Sequence, residues 1–426
     1  MKYGELAEAS WSWVLDQVQW DDQGPWIPQS ADSGKPTEYL NGSHSGIGGL
    51  AYPLAEIALS RPWTTAEREL AAGIATRIRQ AIPTETSVTF FDGLVSSIGV
   101  LTALQEPGTD AAIARALEIA TPDGWHESFL DDGDKYRPGA VCNDLTLGTA
   151  GVLLAALWAI RNGVPARPLA DLAIERLLAE QEATSAGLNW LFIPRRFLVK
   201  EPIQMPNFSH GLAGIAAVLA LAGAELGRPE LVEAGRLGAE HLVTLGTNDQ
   251  GFRVPRVIPW AELHGDEYTY NWCHGGVGTS LLFDALEYAG AAAVADASPA
   301  TWSRRCLDAI QHSGIPDRLH PGFWDNDGRC CGTAGVADAF LTSYQRTGDP
   351  ADLAFATHLA DTLVDHAGGA PYWRFIEHKN DDPLLPPGVG WMQGAAGIAT
   401  TLFRFANPTS TVPRMDTWWS LPQPTG

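Results

Sequence analysis

Seven times along the chain a small polar loop gives way to two small residues three apart and then to an apolar run. The run is long enough for about two to three helical turns, and this repeat limits the folds open to the sequence. It occurs as NGSHSGIGGLAYPLAEIAL (residues 41–59), FFDGLVSSIGVLTAL (90–104), NDLTLGTAGVLLAALWAI (143–160) and FSHGLAGIAAVLALA (208–222). NWCHGGVGTSLLFDAL (271–286), RCCGTAGVADAFL (329–341) and GWMQGAAGIATTLFRF (390–405) complete the set. The second small residue falls at Gly49, Ser96, Gly151, Gly214, Gly278, Gly335 and Gly397, so the steps are 96 − 49 = 47, then 55, 63, 64, 57 and 62. One such pair means little in a chain with 44 glycines. Seven in near-regular order, each opening an apolar helix, mark an internal repeat.

Amphipathic segments lie between the apolar runs, and their periodicity predicts helices over Ala66–Ile82, Ala170–Glu182, Glu230–Leu245, Thr301–His312 and Ala351–His366. Prolines at 165, 168, 229, 299 and 350 suit their starts. Each repeat is therefore one inner helix, apolar nearly all round, and one outer helix with a wet face. Seven such hairpins close most simply into an all-α fold, an α/α toroid spanning residues 1–406 as one domain. The glycines would let neighbouring loops and first turns crowd together at one end without Cβ clashes, and chemistry is expected at that end. Leu188–Met205, which mixes aromatic, β-branched, proline and basic residues, reads as a small inserted β appendage. Residues 407–426 carry prolines at 408, 413, 422 and 424 and read as a disordered tail.

Charge and cysteine usage exclude several functions. Lys plus Arg is 28 against Asp plus Glu 50, so the net charge is 28 − 50 = −22. Such a surface repels phosphate backbones, and with no run of Lys or Arg the sequence is not that of a nucleic-acid binder. A cationic peptide suits it better, although acidity also serves solubility alone. No stretch approaches the roughly 20 continuous apolar residues of a membrane span, and the N-terminus lacks a signal-peptide core. Five cysteines, two of them adjacent, are not a disulfide framework. A soluble, cytoplasmic protein is the expectation.

Three of those cysteines stand at helix starts: Cys273 in NWCHGGVG, and Cys330 and Cys331 in RCCGTAG. Helix N-terminal amides favour thiolates, and a metal favours them further. Three thiolates from two helix starts could hold one zinc ion and leave its fourth position open, as catalytic sites do. Packing alone is the competing explanation, since cysteine is a small hydrophobe often buried for that reason.

The repeat, together with NDLTLGTAG, SHGLAGI, NWCHGGVG and RCCGTAG, resembles the lanthionine synthetase C family, the cyclases of lanthipeptide biosynthesis and their relatives. The resemblance covers nearly the whole chain. It implies an α/α toroid with one zinc ion at one end, and it makes Cys273, Cys330 and Cys331 the metal ligands, Asp144 the active-site aspartate and His210 the active-site histidine. Two departures accompany it. Many stand-alone members have Cys-His-Gly where this chain has Cys330-Cys331-Gly332, and an arginine common upstream of Trp272 is missing, the residues there being Tyr268, Thr269 and Tyr270.

The reaction implied is addition of a cysteine thiol to dehydroalanine or dehydrobutyrine within one peptide, closing a thioether ring. A free thiol is only a few per cent ionised at neutral pH, which zinc would correct. The enolate left by addition needs a positioned acid; His210 is the candidate, with Asp144 to orient it and His274 as a second acid or as a hydrogen-bond donor to a ligand sulfur. Cys142 and Cys306 read as packing residues, and Asp131, Asp132 and Asp134 as a solvated loop. The implied partner is a dehydrated precursor peptide, leader plus core, with a separate dehydratase left open. Other readings are a toroidal glycoside hydrolase, which needs two facing carboxylates where the repeat loops at the cysteine end offer only Asp92 and Asp144, a zinc prenyltransferase, and a peptide- or glutathione-binding scaffold or glutathione-adding protein.

Overall fold

Each apolar run of the repeat is an α-helix in the computed structural model, which describes residues 2–317, 326–376 and 383–408. In chain order the helices are α1 (Lys2–Asp16), α2 (Ala51–Ser60), α3 (Thr65–Ala81), α4 (Leu94–Ala103), α5 (Thr109–Glu118), α6 (Thr149–Arg161) and α7 (Arg167–Ala179). They continue as α8 (Leu212–Leu226), α9 (Pro229–Leu245), α10 (Gly276–Tyr288), α11 (Pro299–Gln311), α12 (Thr333–Thr347), α13 (Pro350–Ala367) and α14 (Ala395–Ala406). The even-numbered helices are the seven inner helices of the sequence repeat. Their burial matches their composition: in α8 every residue from Leu212 to Gly223 is buried, and in α14 every residue from Ala395 to Phe405. The odd-numbered helices are amphipathic. In α11 Trp302, Cys306, Leu307 and Ile310 face inward, and Pro299 occupies the first turn.

Five outer helices fall where periodicity puts them, starting one to three residues earlier because proline stands in the first turn of α7, α9, α11 and α13 and Thr64 caps α3. Two were not foreseen. One is α5, short and alanine-rich; the other is α1, at the far end of the chain from its partner. Residues up to 83, 100–108 and from 314 onward form one compact unit, and residues 84–99 and 109–313 form a second. In the first unit α2 pairs with α3, α12 with α13, and α14 with α1, so the N-terminal helix completes the last hairpin. In the second, α6 pairs with α7, α8 with α9 and α10 with α11, and α8 packs against both α6 and α10.

Strands are minor. Three antiparallel ribbons, β1–β2 (Gln19–Asp21, Gly24–Trp26), β3–β4 (Glu182–Ala183, Leu188–Asn189) and β5–β6 (Thr247–Asn248, Phe252–Arg253), turn the chain around. The expected appendage keeps two strand residues, Leu188 and Asn189, then runs irregularly through a 3-10 turn at Arg195–Phe197. Its apolar side chains explain why: Ile193 and Phe197 pack into a cluster with Leu130, Ala140, Val141 and Cys142 rather than onto a sheet of their own. Cys142 and Cys306 are wholly buried, as packing residues should be. The tail beyond residue 408 lies outside the described residues.

α3 shows how an outer helix is anchored. Thr64 accepts from the Glu67 amide at 3.2 Å, and the Glu67 carboxylate accepts from the Thr64 amide at 2.6 Å and from Trp11 Nε1 of α1 at 2.8 Å. This capping box is expected to make Thr64→Ala cost about 1 kcal/mol, read as a lowered midpoint in urea unfolding.

The glycine pairs have a sharper role than crowding between neighbours. The first glycine is the N-cap of α6, α8, α10, α12 and α14, and each has extended backbone open to any residue. Sterics exclude a side chain there. A Cβ on Gly211 would overlap the carbonyl oxygen of Met205, and one on Gly148 that of Cys142, in each case six residues upstream. Each loop thus curls back onto the start of its own helix. The same curl supplies the carbonyls that the first helical amides lack: Thr149 N–H bonds Cys142 O, Ala213 N–H bonds Pro206 O, Thr333 N–H bonds Asn326 O and Ala395 N–H bonds Gly388 O. Contact with the neighbouring repeat is present as well, since Gly278 faces the Cβ of Phe208 and Gly49 that of Trp391.

Candidate metal centre and the loops that carry it

The curled loops are joined to one another by backbone hydrogen bonds at one register. In the second unit Phe90 N–H donates to Thr146 O at 2.8 Å, Thr146 N–H to Ser209 O at 3.2 Å and Ser209 N–H to Cys273 O at 3.0 Å. In the first unit Cys330 N–H donates to Met392 O and Met392 N–H to His44 O, both at 3.0 Å. Thr146, Ser209, Cys273, Cys330, Met392 and His44 each precede the second glycine of their repeat by five residues: 151 − 146, 214 − 209, 278 − 273, 335 − 330, 397 − 392 and 49 − 44 are all 5. The following position holds Leu147, His210, His274, Cys331, Gln393 and Ser45. All three cysteines singled out in the sequence, and both histidines, lie in these two positions.

Asp144, His210 and His274 come together in the second unit. Asp144 is 0% exposed. Its Oδ2 accepts from Thr146 Oγ1 at 2.9 Å and lies 2.9 Å from His210 Nδ1, and the Leu147 amide donates to Oδ1 at 3.2 Å. Thr146 Oγ1 is also 2.9 Å from His210 Nδ1. A carboxylate is an acceptor only, so Nδ1 carries the proton in this arrangement and Nε2 is the nitrogen left to work. Phe192 packs edge-on against the His210 ring at 5.7 Å, and the His274 ring stands 5.5 Å away. Burial, then the charges of His210 and of Arg256, push His274 down to about 3, so it is a neutral imidazole at working pH. Asp144, enclosed and with its oxygens engaged, is no half of a pair of facing hydrolase carboxylates.

Behind this group Glu127, 6% exposed, accepts from the Val88 amide at 2.8 Å. Burial, with Glu85 adding to it, raises its carboxyl to about 7. The unfolded chain releases that proton near pH 4.5, so stability falls as pH rises from there to about 7, by about 3 kcal/mol in all. Glu127→Gln keeps the acceptor and removes the ionisation. Urea midpoints at pH 5 and pH 8 are expected to converge in the variant relative to wild type.

In the first unit Cys330 and Cys331 are buried, with sulfurs 3.3 Å apart. Asn326 shapes their turn: its Oδ1 accepts from Gly328 N–H at 2.9 Å and its carbonyl from Thr333 N–H at 3.1 Å. Burial lowers the His44 imidazole, the Cys331 thiol pulling the other way. Cys273, Cys330 and Cys331 form a group of side chains that could hold a metal ion. Three soft thiols with no carboxylate or imidazole among them suit zinc. Zn–S bonds of about 2.3 Å place tetrahedral sulfurs about 3.8 Å apart, so Cys330 and Cys331 need open by only about half an ångström.

Sequence reasoning missed Thr146 and His44. The signal was the register itself, since both occupy the position that Cys273 and Cys330 hold in other repeats. It also missed Arg256, whose charge acts on His274 from a loop whose backbone is held by Asn207 Nδ2 through the carbonyls of Pro255 (2.9 Å) and Arg256 (3.3 Å). The residues in place of the missing upstream arginine include Thr269 and Tyr270, both buried, and Tyr268, over whose ring the Arg253 guanidinium lies at 4.5 Å.

Comparison with known proteins follows this geometry. A family profile described as Lanthionine synthetase C-like protein matches residues 40–417. Nisin cyclase superposes with a TM-score of 0.60 at 14% identity, over 87% of this chain and 90% of its own. The Lin0763 protein from Listeria innocua superposes with a TM-score of 0.50 at 11% identity, over 95% and 97%. No curated protein matches the chain. The fold class is the α/α toroid. No helix among the described residues is long and apolar enough to cross a membrane.

Proposed function

The chain belongs to the lanthionine synthetase C-like family, and from that premise we propose that it is a zinc-dependent lanthipeptide cyclase. It would close lanthionine or methyllanthionine rings by adding a cysteine thiol of a dehydrated precursor peptide to dehydroalanine or dehydrobutyrine. The observation that carries this reading is the group of three cysteines able to hold a metal. Cys273, Cys330 and Cys331 would hold the zinc, which would supply the Lewis acidity that keeps a thiol ionised near neutral pH.

The chain's own residues supply the rest. Addition at the β-carbon moves the π electrons toward the carbonyl and leaves an enolate, which collapses when the α-carbon takes a proton. With Nδ1 held by Asp144 and Thr146, the bare Nε2 of His210 takes up the proton that the substrate thiol releases and then delivers it to the α-carbon. The Asp144 carboxylate fixes the tautomer and steadies the ring while its charge changes, and His274, neutral, acts as a hydrogen-bonding neighbour rather than as an acid. A precursor peptide carrying leader and core, and a cytoplasmic location, follow from this reading.

The test is incubation of the purified protein with a dehydrated peptide that contains one cysteine, with and without glutathione. Ring closure removes the reactive thiol without changing the peptide mass. A peptide whose thiol stays open to alkylation, or one that gains only the mass of glutathione, sinks the cyclase in favour of a scaffold or a glutathione-adding protein.

A further inference from the structure

Next in sequence to Cys330 the first unit buries a group in which two guanidiniums share one carboxylate. Arg329 and Arg404 are each 3% exposed and Asp338 is 8% exposed. Arg329 donates to Thr401 Oγ1 at 3.0 Å and to Asp338 Oδ2 at 3.3 Å, with its guanidinium 5.4 Å from the Trp391 ring. Arg404 donates to Asp338 Oδ1, to Thr342 Oγ1 at 3.0 Å and to Gln345 Oε1 at 3.2 Å. Both guanidiniums therefore reach the same carboxylate, and the three side chains sum to +2 − 1 = +1. The Nε atoms of both arginines are buried without an acceptor. Burying an unbalanced charge is costly unless an opposite charge lies nearby in the same low-dielectric surroundings.

Asp327, the buried acid two residues before Arg329, is itself engaged by His366 Nδ1 at 3.0 Å, and a further negative charge is next in sequence. Arg329 adjoins Cys330, and α12, which carries Asp338, begins two residues after Cys331. Three thiolates around one divalent cation sum to −3 + 2 = −1, equal and opposite to the buried cluster. With histidine in place of Cys331 the site would be neutral and the cluster would stand unbalanced. We propose that Arg329, backed by Arg404 through their shared carboxylate, is the counter-charge that lets Cys331 serve as a third thiolate. It is a positioning residue for the metal centre, and the inference rests on the reading that the three cysteines hold zinc.

Zinc affinity measured by chelator competition tests it. Arg329→Met is expected to weaken binding by about 10- to 100-fold, while Arg329→Lys, which keeps the charge, stays within about threefold of wild type. In a Cys331→His background the same Arg329→Met change is expected to cost less than about threefold, a coupling that a purely structural role would not produce. Arg404→Met, further from the thiols, is expected to weaken zinc by a smaller factor and serves as the probe should Arg329→Met not fold. Undiminished affinity in Arg329→Met, or the same loss with Cys331 as with Cys331→His, or Arg329→Lys falling with Arg329→Met, overturns the counter-charge. Wild-type protein that takes up no zinc overturns the metal reading itself, and the counter-charge with it.

Discussion

Cys331→Ala protein, prepared without chelator beside wild type, is expected to carry less than about a fifth of a zinc per chain where wild type carries about one. The effect is large because the group has three members and each supplies both a bond and a charge. Loss of one sulfur leaves Cys330 and Cys273 to hold the ion with water in two positions. Ring closure should fall with metal content, while the helical content stays that of wild type. Elemental analysis and far-ultraviolet circular dichroism read the two quantities separately. Equal zinc in both proteins would remove Cys331 from the ligand set; no zinc in either would leave three cysteines buried for packing.

His210→Ala is expected to do the opposite, leaving zinc in place and slowing ring closure by about 10²- to 10⁴-fold, the span of a lost general acid. Substrate binding should change little, so the loss falls on kcat. Asp144→Asn should follow it within about tenfold, because an amide that presents N–H₂ to Nδ1 puts the ring's one proton on Nε2, which then cannot take up the thiol proton it has to pass on. Full activity in His210→Ala would assign the proton to another group, with water and Arg256 the next to examine. Single-turnover assays with alkylation of unreacted thiol give the rates directly.

Much of this was legible in the sequence because the repeat is local. An apolar run after a glycine pair needs no distant information to be a helix, and the inner helices appear where the pattern puts them. What was illegible depends on chain-distant partners. α1 reads as an isolated amphipathic helix until α14 is beside it, nearly the whole chain away in sequence. The appendage had strand-like composition, yet Ile193 and Phe197 are spent on the cluster around Cys142, and no periodicity reports that. Asp144 and His210 were identified by resemblance, but Thr146, which lies within 2.9 Å of both, carries no motif. Arg329 stood in plain view before Cys330, and its meaning depends on Thr401 and Arg404 more than 70 residues downstream, 401 − 329 = 72.

Main-chain hydrogen bonds join Thr146, Ser209 and Cys273, and separately Cys330, Met392 and His44, and the hydroxyls of Thr146 and Ser209 donate to the same carbonyls as their own amides. The main-chain part of the ladder is indifferent to what each rung bears, since the amide and carbonyl of threonine, serine, cysteine, methionine and histidine are alike. Chemistry and architecture are thereby uncoupled at these slots. A ligand can be replaced by another residue in the same slot without moving its neighbours, and the cost appears in charge rather than in shape. The toroid is in this sense a socket with replaceable pins, and an adjacent pair of cysteines is one setting of it.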